Sequence, residues 1–179
     1  MNIVNNCVND KYFNIDWGAF GLIEFLLSRK KITEQTNALD IGSDAGFHTQ
    51  VMRAFGIKVD QIDKYAEKAE IKDDFLNYKF NKKYDIVFCS HVIEHQRNIG
   101  IFLDKIFDIL TDKGILVISA PKHETSYFVE GHLSCWHLPF FMQNLIHAGF
   151  DCKLGKILSI AGIENTFIVP KAKNYDYLE

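Results

Sequence analysis

Three residues with side chains that can bind a metal or accept a proton follow an apolar run. They are His91, Glu94 and His95, at positions i, i+3 and i+4. One turn of helix would bring all three to the same face. Imidazole and carboxylate groups bind divalent metal ions, and an imidazole also serves as a general base. The pattern HxxEH is also that of an inverted zinc-protease motif. In those proteases the motif lies on a long helix, whereas residues 91–95 directly follow a predicted strand. The spacing therefore predicts a metal or general-base site and argues against a protease.

A glycine-containing turn spans residues 40–46, in the order Asp-Ile-Gly-Ser-Asp-Ala-Gly, and lies between a short apolar run and a helical pattern. In open α/β sheets, ligands bind beyond the carboxyl ends of the strands. The next strand ends at Asp63, where a carboxylate can accept both hydroxyls of a ribose. Isolated acids at strand ends are often turn or cap residues. The joint spacing of Asp40 and Asp63 favours a ligand site, whereas for Asp74 both interpretations stay open.

Helical and strand patterns alternate along the chain. The periodicity predicts helices over 17–29, 47–55, 99–110 and 139–148, strands over 38–41, 57–63, 84–89 and 115–120, a turn over 111–114, and a closing hairpin of 153–160 and 164–169. This order predicts an α/β fold with a mainly parallel sheet and a C-terminal antiparallel hairpin. A parallel crossover needs about a dozen residues. The six residues 64–69 are too few, so we expect a trimmed sheet edge near 64–72.

Composition narrows the classes of protein. At 179 residues, 47% hydrophobic and 24% charged, the chain is expected to form a single domain over 1–179, with an N-terminal helical cap over 1–37 and a core over 38–170. The net charge of −3 argues against binding nucleic acid by bulk electrostatics. No apolar run is long enough for a membrane helix and the polar start is not typical of a signal peptide, so we expect a cytoplasmic protein. The four cysteines include no CxxC pair, which disfavours a disulfide scaffold or zinc ribbon.

From about Ala38 to Val169 the sequence resembles the class I, Rossmann-like S-adenosylmethionine (SAM)-dependent methyltransferases. The first motif of that family is a strand ending in acid-x-Gly-x-Gly-x-Gly, which Asp40, Gly42 and Gly46 match. Asp44 stands where the middle glycine is usual. Residues 84–95 resemble the family's fourth strand and following turn, and residues 110–121 resemble the helix–turn–strand after it. Nicotinamide dehydrogenases share the fold but favour GxGxxG, which this turn does not match.

The resemblance implies that SAM is the cofactor. It assigns Asp63 to the ribose and the pair Asp74-Phe75 to the adenine edge. The full set of cofactor-binding residues that it implies is Asp40, Gly42, Ser43, Asp44, Gly46, Asp63, Lys64, Asp74, Phe75 and Ser90.

Some methyltransferases of this class, acting on catechols or on the terminal ribose of RNA, carry ExxEH and a later histidine that bind a divalent metal. His91, Glu94 and His95 resemble that motif, with His91 replacing its first Glu, and His132 resembles the later histidine. Three imidazoles and one carboxylate favour Zn, Mn, Fe or Co over Mg. Many family members instead have a Glu–His pair that only shapes the loop, so this alternative stays open. The implied catalytic residues are His132, His123 and His95, with His123 as base if no metal is bound.

The resemblance implies O-methylation of a hydroxyl on a sugar or another small molecule. Tyr127 and Trp136 are candidates for the wall of the acceptor site, although such aromatic residues are often core. One alternative is a ribose 2′-O-methyltransferase for RNA 3′ ends, which would need a basic groove leading to His132. Another is a SAM-binding partner protein without catalysis, which the unusual Asp44 and the trimmed edge would suit. We expect neither a nucleic acid nor a membrane as partner.

Overall fold

The structure is a computed structural model that describes residues 18–28, 32–124, 126–160 and 164–172. Its helices are α1 (Ala19–Ser28), α2 (Phe47–Ala54), α3 (Ile99–Ile109) and α4 (Leu138–His147), with one 3₁₀ turn at Ile93–His95. Its strands are β1 (Asn37–Ile41), β2 (Lys58–Ile62), β3 (Tyr84–Ser90), β4 (Leu110–Pro121), β5 (Lys156–Ile160) and β6 (Glu164–Pro170).

These strands form one sheet of six strands in the order β2-β1-β3-β4-β6-β5. The first four in that order pair in parallel. Strand β6 pairs antiparallel with both β4 and β5. The predicted α/β class, the mainly parallel sheet and the C-terminal antiparallel pair are therefore confirmed.

Helices cover both faces of this sheet, as a parallel sheet with nearly continuous apolar strands requires. On one face, Phe102 of α3 and Phe141 of α4 are fully buried in the larger core cluster. On the other face, Phe25 of α1 and Met52 of α2 pack in a second cluster with strand residues such as Phe88. Helix α1, predicted as part of a cap over 1–37, thus belongs to one of the two layers. Residues 1–17 lie outside the described residues.

The sheet edge beyond β2 is trimmed, as the short spacing predicts. A single parallel bridge joins Ile62 to Ile71, and residues 63–83 contain turns and this bridge but no helix. The Lys105 Nζ atom of α3 secures the segment by donating hydrogen bonds to the carbonyl oxygens of Leu76 at 2.8 Å and Tyr78 at 2.7 Å. Side chain to backbone bonds therefore replace part of the missing strand pairing.

The predicted turn at 111–114 differs in form. Strand β4 already pairs with β3 at Leu110, opposite Tyr84, and the next pair is Ile115 with Ile86. Residues 111–114 therefore bulge opposite Asp85 alone, within the strand. The Thr111 hydroxyl donates to Asp85 Oδ1 at 3.3 Å, so this bulge is bonded to its neighbour strand.

Candidate active site

A cavity of about 660 Å³ lies at the carboxyl ends of β1, β2 and β3. Its lining includes six of the residues predicted to bind the cofactor, namely Gly42, Asp44, Asp63, Lys64, Asp74 and Phe75. His91 and His95 line the same cavity. The other four predicted residues, Asp40, Ser43, Gly46 and Ser90, are not part of this lining.

Left-handed backbone shapes the turn after β1. Gly42, Asp44 and Gly46 have φ angles of 71°, 44° and 80°. Glycine adopts this region freely, and aspartate is one of the few other residues that tolerate it. The Gly42 N–H donates to the carbonyl oxygen of Ile62 at 2.9 Å, which holds the turn against the end of β2. Asp44 thus replaces a glycine in a conformation that aspartate can keep.

The carboxylate of Asp63 is held by backbone donors. Its Oδ2 accepts the N–H of Asp44 at 3.0 Å. Its Oδ1 accepts the N–H groups of Tyr65 at 2.7 Å and Ala66 at 2.9 Å. A carboxylate has about four lone-pair sites, two on each oxygen, so these three bonds leave one site on Oδ2 for a ligand hydroxyl.

Asp40 is buried at the end of β1. The Thr49 hydroxyl donates to its Oδ2 at 2.6 Å. Burial raises the pKa of this carboxyl to about 7, partly offset by the Thr49 hydrogen bond. Asp40 therefore joins the end of β1 to α2 through Thr49 and does not line the cavity.

Glu94 lies in the 3₁₀ turn that follows β3, where a helical turn was expected. It is fully buried, and neither carboxylate oxygen has a hydrogen-bond partner among the described residues. Burial raises the pKa of Glu94, and the neighbouring histidines His91, His95 and His123 oppose that shift. A buried carboxylate without a hydrogen bond is costly unless something else compensates its charge.

Tertiary hydrogen bonds bring His132 to this turn. The Leu133 N–H donates to the Glu94 carbonyl oxygen at 2.7 Å, and His95 Nδ1 lies 2.8 Å from the Gly131 carbonyl oxygen. Glu94, His95 and His132 each offer a ligand atom, and these atoms all lie within 4.8 Å of one another. We call these three residues the Glu–His cluster. His91, predicted as a fourth ligand, is outside this set.

The ring nitrogens of His91 lie beside two carboxylates. Its Nδ1 is 3.6 Å from Glu94 Oε1, and its Nε2 is 3.0 Å from Glu164 Oε2. Glu164 is fully buried at the start of β6. Sequence reasoning missed Glu164, because a lone acid at the start of a C-terminal strand carries no local signal of a site.

A second cavity, of about 180 Å³, lies beside the Glu–His cluster. Its lining includes His132, His123 and Cys135, together with the exposed aromatic residues Tyr127 and Phe128. His123 Nε2 lies 3.1 Å from His132 Nδ1. Burial, followed by repulsion from the neighbouring histidines, lowers the pKa of His132 and favours its neutral form.

The two aromatic residues predicted for the wall of the acceptor site occupy different environments in the structure. Tyr127 lines the second cavity and is exposed. Trp136 is buried and packs on Phe141, with ring centroids 4.9 Å apart. Trp136 is therefore a core residue.

The sheet order, the glycine turn after β1 and the acid after β2 define the class I, Rossmann-like fold of SAM-dependent methyltransferases. The family model described as a methyltransferase domain matches residues 18–152, and the chain belongs to that family. Among the described residues, no helix has the length and apolar character needed to cross a bilayer.

Relatives with assigned activities methylate oxygen or nitrogen. The ubiquinone biosynthesis O-methyltransferase of Rickettsia canadensis (strain McKiel) is 27% identical over 125 residues, which cover 62% of this chain and 53% of that protein. The (S)-tetrahydroprotoberberine N-methyltransferase of Eschscholzia californica is 24% identical over 134 residues, covering 65% of this chain and 38% of that protein. The chain thus spans little more than half the length of the first relative and less of the second.

The fold also matches solved structures. The 1,6-didemethyltoxoflavin-N1-methyltransferase of Burkholderia thailandensis, solved with 1,6-didemethyltoxoflavin and S-adenosylhomocysteine, superposes with a TM-score of 0.73 at 15% identity. The superposition covers 95% of this chain and 85% of that chain. At this identity the likeness shows the shared fold.

Proposed function

We propose that the protein transfers the methyl group of SAM to a hydroxyl of a small molecule, and that the Glu–His cluster holds a divalent metal ion for this reaction. The observation that carries the proposal is the fully buried Glu94 carboxylate, which has no hydrogen-bond partner among the described residues and adjoins two histidines. This cluster adjoins the lining of the cavity that contains the glycine turn and Asp63.

The larger cavity suits SAM. When bound, SAM supplies an activated methyl group on a sulfonium, so the protein has to orient and align the reactants. The fixed Asp63 carboxylate can accept a ribose hydroxyl at Oδ2, and the left-handed turn at Gly42 lets backbone approach the ligand. The neighbouring acids Asp44 and Asp74 favour a cationic ligand.

The donor set of the Glu–His cluster fits a divalent transition metal. Two imidazoles and one carboxylate suit Mn, Zn or Fe better than Mg, which prefers oxygen ligands. When bound, such an ion lowers the pKa of a coordinated hydroxyl. The ion would also compensate the charge of the Glu94 carboxylate, which has no hydrogen-bond partner among the described residues.

His132 and His123 can take up the proton of the acceptor hydroxyl. If His132 binds the ion through one ring nitrogen, the hydrogen bond of its Nδ1 to His123 Nε2 fixes its tautomer and orientation. Without a metal, His132 is the general base, because its surroundings favour the neutral form that can accept a proton. His123, which is hydrogen-bonded to His132, can then receive that proton. Alignment of the reactants and deprotonation of the hydroxyl together accelerate the methyl transfer.

The charge of the second cavity favours a small acceptor over RNA. An RNA enzyme needs cations for the phosphates near its acceptor site. The second cavity contains His132, and its lining among the described residues includes no lysine or arginine. This lining disfavours the ribose 2′-O-methyltransferase. That the hydroxyl belongs to a sugar stays a prediction.

Calorimetric titration tests the proposal. Mn²⁺ and then Zn²⁺ are titrated into protein saturated with S-adenosylhomocysteine, using wild type, Glu94→Gln and His132→Ala. We expect one site that is lost in both variants and retained in His147→Asn, a control at the end of α4. Absence of binding in wild type would overturn the metal-assisted mechanism.

A turnover assay tests the reaction itself. Protein, SAM and the metal are incubated with a panel of vicinal diols and a matched panel of amines, and S-adenosylhomocysteine release is measured. We expect turnover with hydroxyl acceptors that Glu94→Gln reduces by about 10²–10⁴-fold, the range of a lost deprotonation step. Turnover with amines alone would reassign the acceptor atom, and turnover with any acceptor would exclude a purely non-catalytic partner protein.

A further inference from the structure

His91 lies between two buried carboxylates that come from distant parts of the chain. Glu164 Oε2 is 3.0 Å from its Nε2, a hydrogen-bond distance, and Glu94 Oε1 is 3.6 Å from its Nδ1, an ion-pair distance. Both glutamates are fully buried, and the His91 side chain is 17% exposed. Each ring nitrogen therefore faces a different acid.

The backbone of His91 is fixed independently of its ring. Its φ angle of 54° is in the left-handed region, which is uncommon for residues other than Gly, although Asn, Asp and His adopt it more often than the rest. Its N–H donates to the carbonyl oxygen of Ser119 in β4 at 3.0 Å. A left-handed residue at the end of a strand turns the chain sharply, and this turn brings the ring of His91 between the two acids.

Glu164 is a rigid partner for this ring. Its Oε2 also accepts the N–H of Gly18, the residue before α1, at 2.7 Å. Its Oε1 accepts the hydroxyl of Thr166 at 3.3 Å. Strand pairing places Glu164 opposite Pro121 in β4. Because both oxygens and the backbone are held, Glu164 can fix the orientation of His91.

Glu94 is the opposite case, since its carboxylate oxygens have no hydrogen-bond partner among the described residues. Carboxylates that bind metals are usually oriented by groups that do not touch the ion, and losing such a group typically costs 10–100-fold in metal affinity. Of the two acids beside His91, only Glu94 belongs to the Glu–His cluster. The one imidazole thus connects a fixed acid to a candidate metal ligand.

We propose that His91 is a positioning residue and not a metal ligand: held by Glu164, it orients the Glu94 carboxylate toward His95 and His132. This inference rests on the proposed metal site. It explains why a histidine stands where the resembling motif has its first glutamate, because a third acid here would meet both Glu94 and Glu164 with like charge.

Two substitutions at His91 separate the two roles. The amide of asparagine reaches the position of Nδ1, so His91→Asn keeps a polar group toward Glu94, and asparagine tolerates the left-handed backbone. The amide of glutamine reaches the position of Nε2, so His91→Gln keeps the contact with Glu164 and loses the one with Glu94. Glu164→Gln removes only the charge of the fixed partner. His147→Asn is the control for a histidine elsewhere.

The experiment measures Co²⁺ binding to each variant saturated with S-adenosylhomocysteine, by calorimetry and by the visible absorption of the bound ion. We expect His91→Gln to weaken binding about 10–100-fold and His91→Asn to weaken it less. Glu164→Gln should weaken binding in wild type but not in the His91→Gln background. The absorption spectrum should stay that of wild type, because the ligands are unchanged. Thermal melts of every variant verify that it folds.

The other outcomes are distinct. A spectrum that changes in either His91 variant would make His91 a ligand and overturn the inference. Wild-type affinity in His91→Gln or Glu164→Gln would also overturn it while leaving the metal site intact. No Co²⁺ binding by wild type would overturn the proposed metal site and the role of His91 together.

Discussion

The backbone N–H of Asp44 donates a hydrogen bond to Oδ2 of Asp63, with 3.0 Å between the two atoms. This bond joins the turn after β1 to the acid after β2, two features on neighbouring parallel strands. Because the donor is a backbone group, the bond does not depend on the aspartate side chain that stands in place of a glycine. The turn and the acid therefore act as one unit at the cavity.

Replacement of the acid in this unit should weaken cofactor binding. S-adenosylhomocysteine at 100 times its dissociation constant stabilises a folded protein by about 2.7 kcal/mol, roughly 5–10 °C in melting temperature for this size. We expect Asp63→Asn to lose most of this shift, because asparagine has one acceptor oxygen where the carboxylate has two. Thermal melts with and without the ligand check this. Asp104→Asn, on the exposed surface of α3, is the control, and a full shift in Asp63→Asn would contradict the assignment.

The left-handed backbone at Asp44 gives a second prediction. Its φ of 44° suits glycine better than alanine, whereas the bond to Asp63 needs only the backbone. Asp44→Gly should therefore keep the stability of wild type. Asp44→Ala should lower the free energy of unfolding by about 1 kcal/mol relative to Asp44→Gly. Urea unfolding of the two variants measures the difference, and equal stabilities would contradict the prediction.

The Glu94 carboxylate should lower the free energy of unfolding of the metal-free protein. Burial raises the pKa of this carboxyl, and an unsatisfied buried polar group costs about 1–3 kcal/mol. Glu94→Gln removes the charge at nearly constant volume, so it should raise the free energy of unfolding at pH 8 without metal and abolish the increase that Mn²⁺ produces. Urea unfolding with and without Mn²⁺ measures both effects. Glu130→Gln, a nearby exposed acid, should do neither.

Asp40 predicts a pH dependence of stability. Its pKa is raised from 3.8 to about 7, chiefly by burial. Between these values the folded protein binds a proton that the unfolded chain releases, so the free energy of unfolding falls as the pH rises through this window and levels off above about 7. The contribution is on the order of 4 kcal/mol.

The Asp40→Asn variant checks that contribution. Asparagine can accept the same Thr49 hydrogen bond without a titrating charge. The decline in melting temperature between pH 5 and pH 8 should therefore be smaller than in wild type. A decline as steep in Asp40→Asn would assign the effect to other groups, of which Glu94 is the first to test.

The helices and strands and their order along the chain were readable without coordinates. Apart from the start of β4, the apolar runs and stripes predict the bounds of each described helix and strand to within about three residues, because burial on a 2- or 3.6-residue period is visible in the sequence. The trimmed edge followed from chain length alone, since six residues cannot make a crossover. The bulge at 111–114 was missed as a bulge, because it depends on how β4 registers against β3.

By itself, the sequence determined that the acids Asp40 and Asp63 and the His91–His95 motif come together, because parallel strands end at one edge of the sheet. The resemblance had already implied His91, His95 and His132 as partners of Glu94, and only the tertiary structure placed His91 outside the Glu–His cluster. His132 reaches Glu94 through the Leu133 backbone bond, and His91 faces Glu164, which is 73 residues away along the chain. The direction of an imidazole ring depends on the left-handed backbone of His91 and on distant buried partners, and spacing along the chain encodes neither.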